Sequence, residues 1–258
     1  MALVVLAALF APVIQIYPPN DPNMPDRNTG PSDQHLLGTD GMGRDVWARI
    51  VHGGRASLLV AVFGVGIYLV IATVLGCVSG YYGRAVDFAI QRFTDTMMAF
   101  PTILLIITFV AFTKPGIVNV FLAIGLMNWP GPQRLLRAQV LSLREREFVQ
   151  AARCLGASDL RILARHILPS LVPILLVLAT FGVADAILME TSLSFLGLGV
   201  PPPSPTWGGM IQYAVSITVM EQMPWLWIFP GFAIVVSVLS VNFIGDGLTA
   251  ALDPHQLR

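Results

Sequence analysis

Two acidic residues stand out in a chain that is otherwise poor in charge: Asp185 and Glu190 lie in or beside one long apolar run. A charge at the centre of a bilayer costs about 3 kcal/mol on insertion scales. Such groups are therefore expected in cavities or at interfaces. Their chemistry would be the polar lining of a solute or cation pathway, with headgroup-level placement or pairing with a partner subunit as the alternative. Five residues separate them, so they occupy different helical stripes. Asp95 and Asp246 fall where apolar runs begin or end, which favours the interface for both. Catalytic groups are harder to find. His35, His52, His166 and His255 form no HExxH pair, and there is no GxSxG elbow. The only lysine, Lys114, stands between Thr113 and Pro115, so no Gly-rich phosphate loop ends in Lys-Ser or Lys-Thr. Cys77 and Cys154 have no CxxC neighbour and read as structural. A membrane enzyme would have no visible nucleophile, metal or base here, and ATP hydrolysis would have to occur on another polypeptide.

The elements that must position these residues are membrane helices. Of 258 residues, 55% are hydrophobic and 12% charged, far more apolar than an average soluble domain. Apolar runs cover Met1 to Ile16, Leu58 to Val78, Thr96 to Phe112, Val118 to Trp129 with an extension to Leu143, Leu171 to Leu188, and Trp225 to Ile244. Several approach the roughly 20 residues that cross a hydrocarbon core of about 30 Å, and the count is about six spans. The first run lacks a basic leader and a small-residue cleavage site, so it reads as a first span whose cytosolic start is absent. Pro101, Pro130, Pro132 and Pro230 interrupt helical runs, which a membrane helix tolerates where protein or cavity water satisfies the freed carbonyls. Zero net charge and the lack of a basic stripe exclude a nucleic-acid partner.

Between two apolar runs lies the segment from Glu147 to Pro169, EFVQAARCLGASDLRILARHILP. Phe148, Ala152 and Leu155 share one helical face, and Leu160, Leu163 and Ile167 share another. Gly156 suits a left-handed helix end, Ser158 or Asp159 a cap for the second helix, and Pro169 its stop. Ala151 and Ala152 keep the first helix thin, Ala157 follows the glycine, and Arg153, Arg161 and Arg165 supply charge. The pattern is a docking site for another protein, or else an ordinary connector. It resembles the EAA loop of ABC importer permeases, in which Glu-Ala-Ala is followed by Gly and then Leu-Pro. Here those positions read Gln150, Ala151, Ala152, Gly156, Leu168 and Pro169. Gln150 replaces Glu, with Glu147 as the nearby acid, and His166 replaces the usual Ile.

Two further blocks narrow the resemblance. His35 to Leu58, with Gly38-Thr39-Asp40 and Gly43-Arg44-Asp45-Val46, is similar to the segment before the second span of dipeptide, oligopeptide and nickel permeases. Asp45 reads there as a first-turn acid on a helix along the membrane surface, with Trp47 at the interface. Leu193 to Met210, LSFLGLGVPPPSPTWGGM, is too rich in Gly and Pro to continue a helix. It resembles the same permeases, specifically their C-type, second subunit, as do Gly245 to Leu248 and Leu252 to Pro254 at the tail.

The resemblance implies one all-α transmembrane domain over 1–258 with the type I ABC importer permease fold. Its expected parts are an outer loop at 17–56, a cytoplasmic coupling loop at 144–169 and an outer Gly/Pro-rich loop at 197–224. It implies half of a pore for dipeptides, oligopeptides or a related small solute, in a bacterial or archaeal cytoplasmic membrane. Implied partners are a second homologous permease, one or two cytoplasmic ATPases that bind ATP and Mg, an extracytoplasmic binding protein, and lipid. The implied contact residues are Glu147, Gln150, Ala151, Ala152, Arg153, Gly156, Ala157, Arg161, Leu168 and Pro169. With that loop in the cytoplasm, alternation puts both chain ends inside. Arg84, Arg92, Arg134, Arg137, Arg144, Arg146, Arg153, Arg161, Arg165 and Arg258 then fall inside, in keeping with the positive-inside bias. An ion- or proton-coupled secondary transporter using Asp185 or Glu190 is the competing reading. The absence of a visible inverted repeat weighs weakly against it.

Overall fold

The structure is a computed structural model that describes residues 6–8 and 10–252. Among these residues the chain is mostly helical, and the one β-bridge joins Thr39 to Asp45. Helix α1, Val46–Tyr82, is a single rod of 37 residues. Its start is written locally: the Asp45 carboxylate accepts from the Ala48 amide at 2.8 Å and caps the helix. This corrects two expectations, since Asp45 caps from outside the first turn, and the surface-lying helix is continuous with the second span. Gly54 does not break α1, because a Cβ there would stand 2.8 Å from the Trp207 ring; close packing supplies what helix propensity withholds.

After Gly83 come α2, Arg84–Met98, and α3, Thr102–Thr113, bent by 83° at Pro101. The run from Thr96 to Phe112 is thus not one straight span. Helices α4, Ile117–Met127, and α5, Pro130–Arg144, divide the next run at Asn128 and Trp129, with Pro130 opening α5 where its missing N–H costs nothing. Helix α6 is Glu147–Cys154. Helix α7 runs without interruption from Asp159 to Phe195, so Pro169 does not stop a short helix as its position suggested. Leu163–Ile167 widens into a π-turn, where the Leu168 amide reaches back to the Leu163 carbonyl. That extra residue per turn relieves the proline ring and the carbonyl left without a donor. Beyond a loop come α8, Trp207–Ile211, and finally α9, Trp225–Leu252, which continues through Pro230.

Among the described residues three helices, α1, α7 and α9, are long and apolar enough to cross a membrane, and the bent α2–α3 pair has the length and composition of a broken span or a re-entrant loop. Ile117–Met127, at 11 residues, is too short to cross alone. The first predicted span, Met1 to Ile16, lies partly outside the described residues; within them, residues 6–8 and Ala11–Ile14 are helical. The tail residues Asp253 and Pro254 and Arg258 also lie outside them.

The main core cluster includes Val60, Val65, Tyr68, Ile106, Ile124, Leu136, Ile187 and Leu193, and a smaller one joins Val46, Met210 and Leu226. A buried polar seam ties three helices: Gln133 donates to Ser79 Oγ at 3.1 Å, and the Thr94 hydroxyl to Gln133 at 3.3 Å. The Arg137 guanidinium forks onto Asp87 at 2.5 and 2.6 Å. Outside the core, Phe112, Phe232 and Phe243 stand 87%, 66% and 72% exposed. So much uncovered aromatic surface is explicable where lipid or another chain covers it.

Helix contacts give the directions. Gly64 faces Ile124, Gly76 faces Leu136 and Gly80 faces Val140, so α4 and α5 run parallel to α1. Ser57 near the start of α1 meets Glu190 near the end of α7, and Tyr81 at the end of α1 meets Asp159 at the start of α7. These two helices are antiparallel. One end of the bundle therefore carries residues 147–169, and the other carries 17–45 and 197–224.

Candidate functional site

The turn at Gly156 is built from three hydrogen bonds. Leu155 N–H reaches Ala151 O at 3.0 Å, Gly156 N–H reaches Arg153 O at 3.0 Å, and Ala157 N–H reaches Ala152 O at 3.1 Å. The last two form a Schellman helix end, and Gly156 holds the left-handed φ of +77° that it needs. Ala152 and Ala157, the pair that brackets this turn, pack against the core. Ser158 occupies the cap position of α7 without a side-chain bond to the helix. The outward face is apolar: Leu155 is 88%, Leu160 75% and Phe148 45% exposed. Ala151, Arg153, Arg161, Leu168, Pro169 and Glu147 are exposed beside them, while Val149, Ile162 and Ile167 form the buried underside.

Gln150 does what a glutamate could not, since its Nε2 donates to the Arg144 carbonyl at 2.9 Å and caps the end of α5. His166 lies 6.5 Å, centroid to centroid, from the Phe148 ring and joins the two helices through that pair.

Sequence reasoning missed the anchor. Tyr81 donates to Asp159 Oδ1 at 2.7 Å, and Arg153 donates to the Tyr81 hydroxyl at 3.3 Å with its guanidinium 5.6 Å from the ring centre. The Tyr81 hydrogen bond, with Asp159 beside it, holds the Arg153 pKa above its ordinary value. Arg144 donates to the Gly80 carbonyl at 3.1 Å. Nothing in an apolar run marks its terminal tyrosine as the tether of a loop seventy residues away.

At the opposite end the two acids part company. Asp185 is exposed and accepts from Asn128 Nδ2 at 3.2 Å, at the α4–α5 break. Glu190 is fully buried. Its carboxylate accepts from Ser57 at 3.1 Å and from Ser194 at 2.7 Å, with the Thr206 hydroxyl beside it. Ser57 Oγ in turn accepts from the Trp207 amide at 3.3 Å. Glu190 thus pins α1, α7 and the Gly/Pro-rich loop together. Burial of this polar group is tolerable because its oxygens are hydrogen-bonded. The two acids lie on different faces of α7, Asp185 exposed and Glu190 buried.

The Gly/Pro-rich segment folds back onto α1, where Trp207 is buried and donates its indole N–H to the Ile50 carbonyl at 2.9 Å. Among the described residues no group of three or more His, Cys, Asp or Glu could hold a metal. What the arrangement can transmit is displacement, from an apolar surface at one end through hydrogen-bonded helix ends to the other.

Comparison with known proteins agrees. The family of binding-protein-dependent transport system inner membrane components matches residues 72–258. A candidate peptide permease protein of Brucella suis biovar 1 is 47% identical over 249 residues, covering 96% of this chain and 82% of that protein. The dipeptide transport system permease DppC of Alkalihalophilus pseudofirmus is 45% identical over 250 residues, covering 97% and 82%. The inward-facing MetNI methionine ABC transporter has a chain that superposes with a TM-score of 0.62 at 19% identity, over 79% of this chain and 96% of that one, which shows the shared fold. With its helices, its helix-Gly-helix loop and these relatives, the chain belongs to the family of inner membrane components of binding-protein-dependent transport systems, a permease subunit of the ABC importer type rather than an ion-coupled secondary transporter.

Proposed function

We propose that this chain forms half of the translocation pore of a peptide importer and couples to cytoplasmic ATPases through the surface from Glu147 to Pro169. The observation that carries the reading is the apolar face of Phe148, Leu155 and Leu160, held out on a locally encoded turn and tethered to α1 by Tyr81. Exposed leucines at an aqueous end of a membrane protein ask for a partner, and the neighbouring arginines would steer it. A second permease completes the pore, and a binding protein delivers solute to the end bearing residues 17–45. ATP and Mg act on the ATPases, whose approach moves the docked helices and switches the pore between outward and inward openings. Peptides are the proposed cargo because the relatives named above are called peptide or dipeptide permeases.

The test replaces Leu155 and Leu160 with Asp in the assembled importer. Both side chains are exposed, so the fold of this chain is retained. Recovery of the ATPase with the tagged permease pair is expected to fall about tenfold or more, in line with loss of a central apolar contact. Equal recovery together with equal dipeptide uptake would show an ordinary connector.

A further inference from the structure

At the end opposite the coupling surface, a cavity of about 260 Å³ opens between the Gly/Pro-rich loop and the start of α1. Its lining includes Arg44, Arg49, Ser194, Ser204, Gln212 and Tyr213, and no acidic residue. Both arginines are 5% exposed. Arg44 is engaged through two nitrogens: Nε and Nη2 each lie 2.8 Å from Asp40 Oδ2, and Nη2 donates to the Tyr213 hydroxyl at 3.1 Å. Arg49 is not. Its Nη1 donates to the Pro19 carbonyl at 3.0 Å, but its Nε stands 3.6 Å from the carboxylate oxygen that Arg44 already occupies and has no hydrogen-bond partner in the protein. The other acid nearby, Asp45, is committed to His35 at 2.9 Å and to the α1 cap. One carboxylate thus lies against two buried guanidiniums, and Arg49, which lines the cavity, keeps its Nε without a partner. A buried donor without a partner is costly to keep, and a guanidinium edge is shaped for a carboxylate.

We propose that this cavity receives a carboxylate group of the entering solute, with Arg49 as its principal contact. The inference rests on the reading of this chain as a solute permease. The volume fits the carboxylate-bearing end of a peptide rather than a whole one, being smaller than the ~300 Å³ lower range of ligand pockets. The proposal selects a small solute over a carboxylate on the surface of a docked protein because both guanidiniums lie beneath the loop.

The experiment titrates the full chain in lipid nanodiscs with dialanine and with dialanine amide, which lacks the carboxylate. Dialanine is expected to bind about tenfold or more tightly than the amide, as loss of a charge-assisted hydrogen bond implies. Arg49→Gln should erase the difference. Because that change also disturbs the ion-pair cluster, a second variant is placed on the exposed loop. Ser204→Asp tethers a carboxylate in the cavity and should abolish the preference, while Ser204→Asn should keep it. Equal binding of acid and amide, no binding of either, or a Ser204→Asp chain that titrates like the wild type overturns the proposal. Weakened capture of the extracytoplasmic binding protein by Ser204→Asp, with unchanged dialanine titration, assigns the carboxylate to that protein and also overturns it. ATP-driven peptide uptake by the assembled importer is measured alongside. Uptake without carboxylate preference discards the site alone, and preference without uptake discards the transport reading alone.

Discussion

Gly156 and Glu190 show how single residues serve this molecule in opposite ways. Gly156 has open space where a Cβ would stand, so its constraint is the backbone and not crowding. A left-handed φ costs an ordinary residue about 1–2 kcal/mol, and Asn bears it best. Gly156→Val should lower ATP-dependent uptake severalfold while membrane levels hold, and Gly156→Asn should keep most of it. Normal uptake by the Val variant would remove the turn from the coupling argument. Glu190 is constrained by its surroundings: Glu190→Ala would leave the buried Ser57 and Ser194 hydroxyls without their acceptor, at about 1–3 kcal/mol. Thermal unfolding in detergent should show a clear drop for the Ala variant and a smaller one for Glu190→Gln, and unchanged melting of the Ala variant would refute the pin. The glycine was legible in the sequence because helix ends follow local rules. The glutamate was not, since its partners Ser57 and Thr206 come from elsewhere in the chain and no spacing announces them.

Helix ends, more than helix middles, decide how the coupling segment is held. The Tyr81–Asp159 bond joins the end of α1 to the start of α7. Tyr81→Phe removes about 1 kcal/mol of local restraint, or about a fivefold rise in local opening. Hydrogen exchange of amides 156–162 should quicken by that order while the exchange of α1 stays as it was. Unchanged exchange at 156–162 would show that core packing of Ile162 and Ile167 holds the segment unaided. Here the sequence was legible in part. Apolar spacing grouped exposed Leu160 with buried Ile167 and exposed Leu155 with core-packed Ala152, so it did not sort the two faces, and Pro169 looked like a terminator because a proline inside an α-turn clashes with the preceding carbonyl. A π-turn removes the clash, and no residue pattern in Leu163 to Ile167 distinguishes it from an ordinary turn. The breaks at Pro101 and before Pro130 were foreshadowed by their prolines, whereas Pro173 and Pro230 sit inside unbroken helices.

At the scale of the whole molecule, composition alone was enough to make lipid the solvent, and the all-helical membrane class followed. The count of crossing segments was less legible, because apolar runs do not reveal where a helix breaks midway through the bilayer. Sidedness is testable through thiols. Cysteines introduced at the exposed positions Ser32 and Ser204 should react with an impermeant reagent added to intact cells, and Cys154, exposed on the coupling turn, should react only after lysis. Labelling of Cys154 in intact cells would invert the molecule. The longest helix lends this geometry a mechanical meaning. Helix α1 has 37 residues and no proline, a stiff beam about 55 Å long at the standard rise. One extremity is bolted to the coupling turn by Tyr81 and the other to the Gly/Pro-rich loop by Ser57 and Trp207. On the proposed coupling, a tilt of about 5° about the first extremity would sweep the second through about 5 Å, so a small rocking at the Gly156 turn would become a displacement at the Gly/Pro-rich loop without any signal having to pass from side chain to side chain.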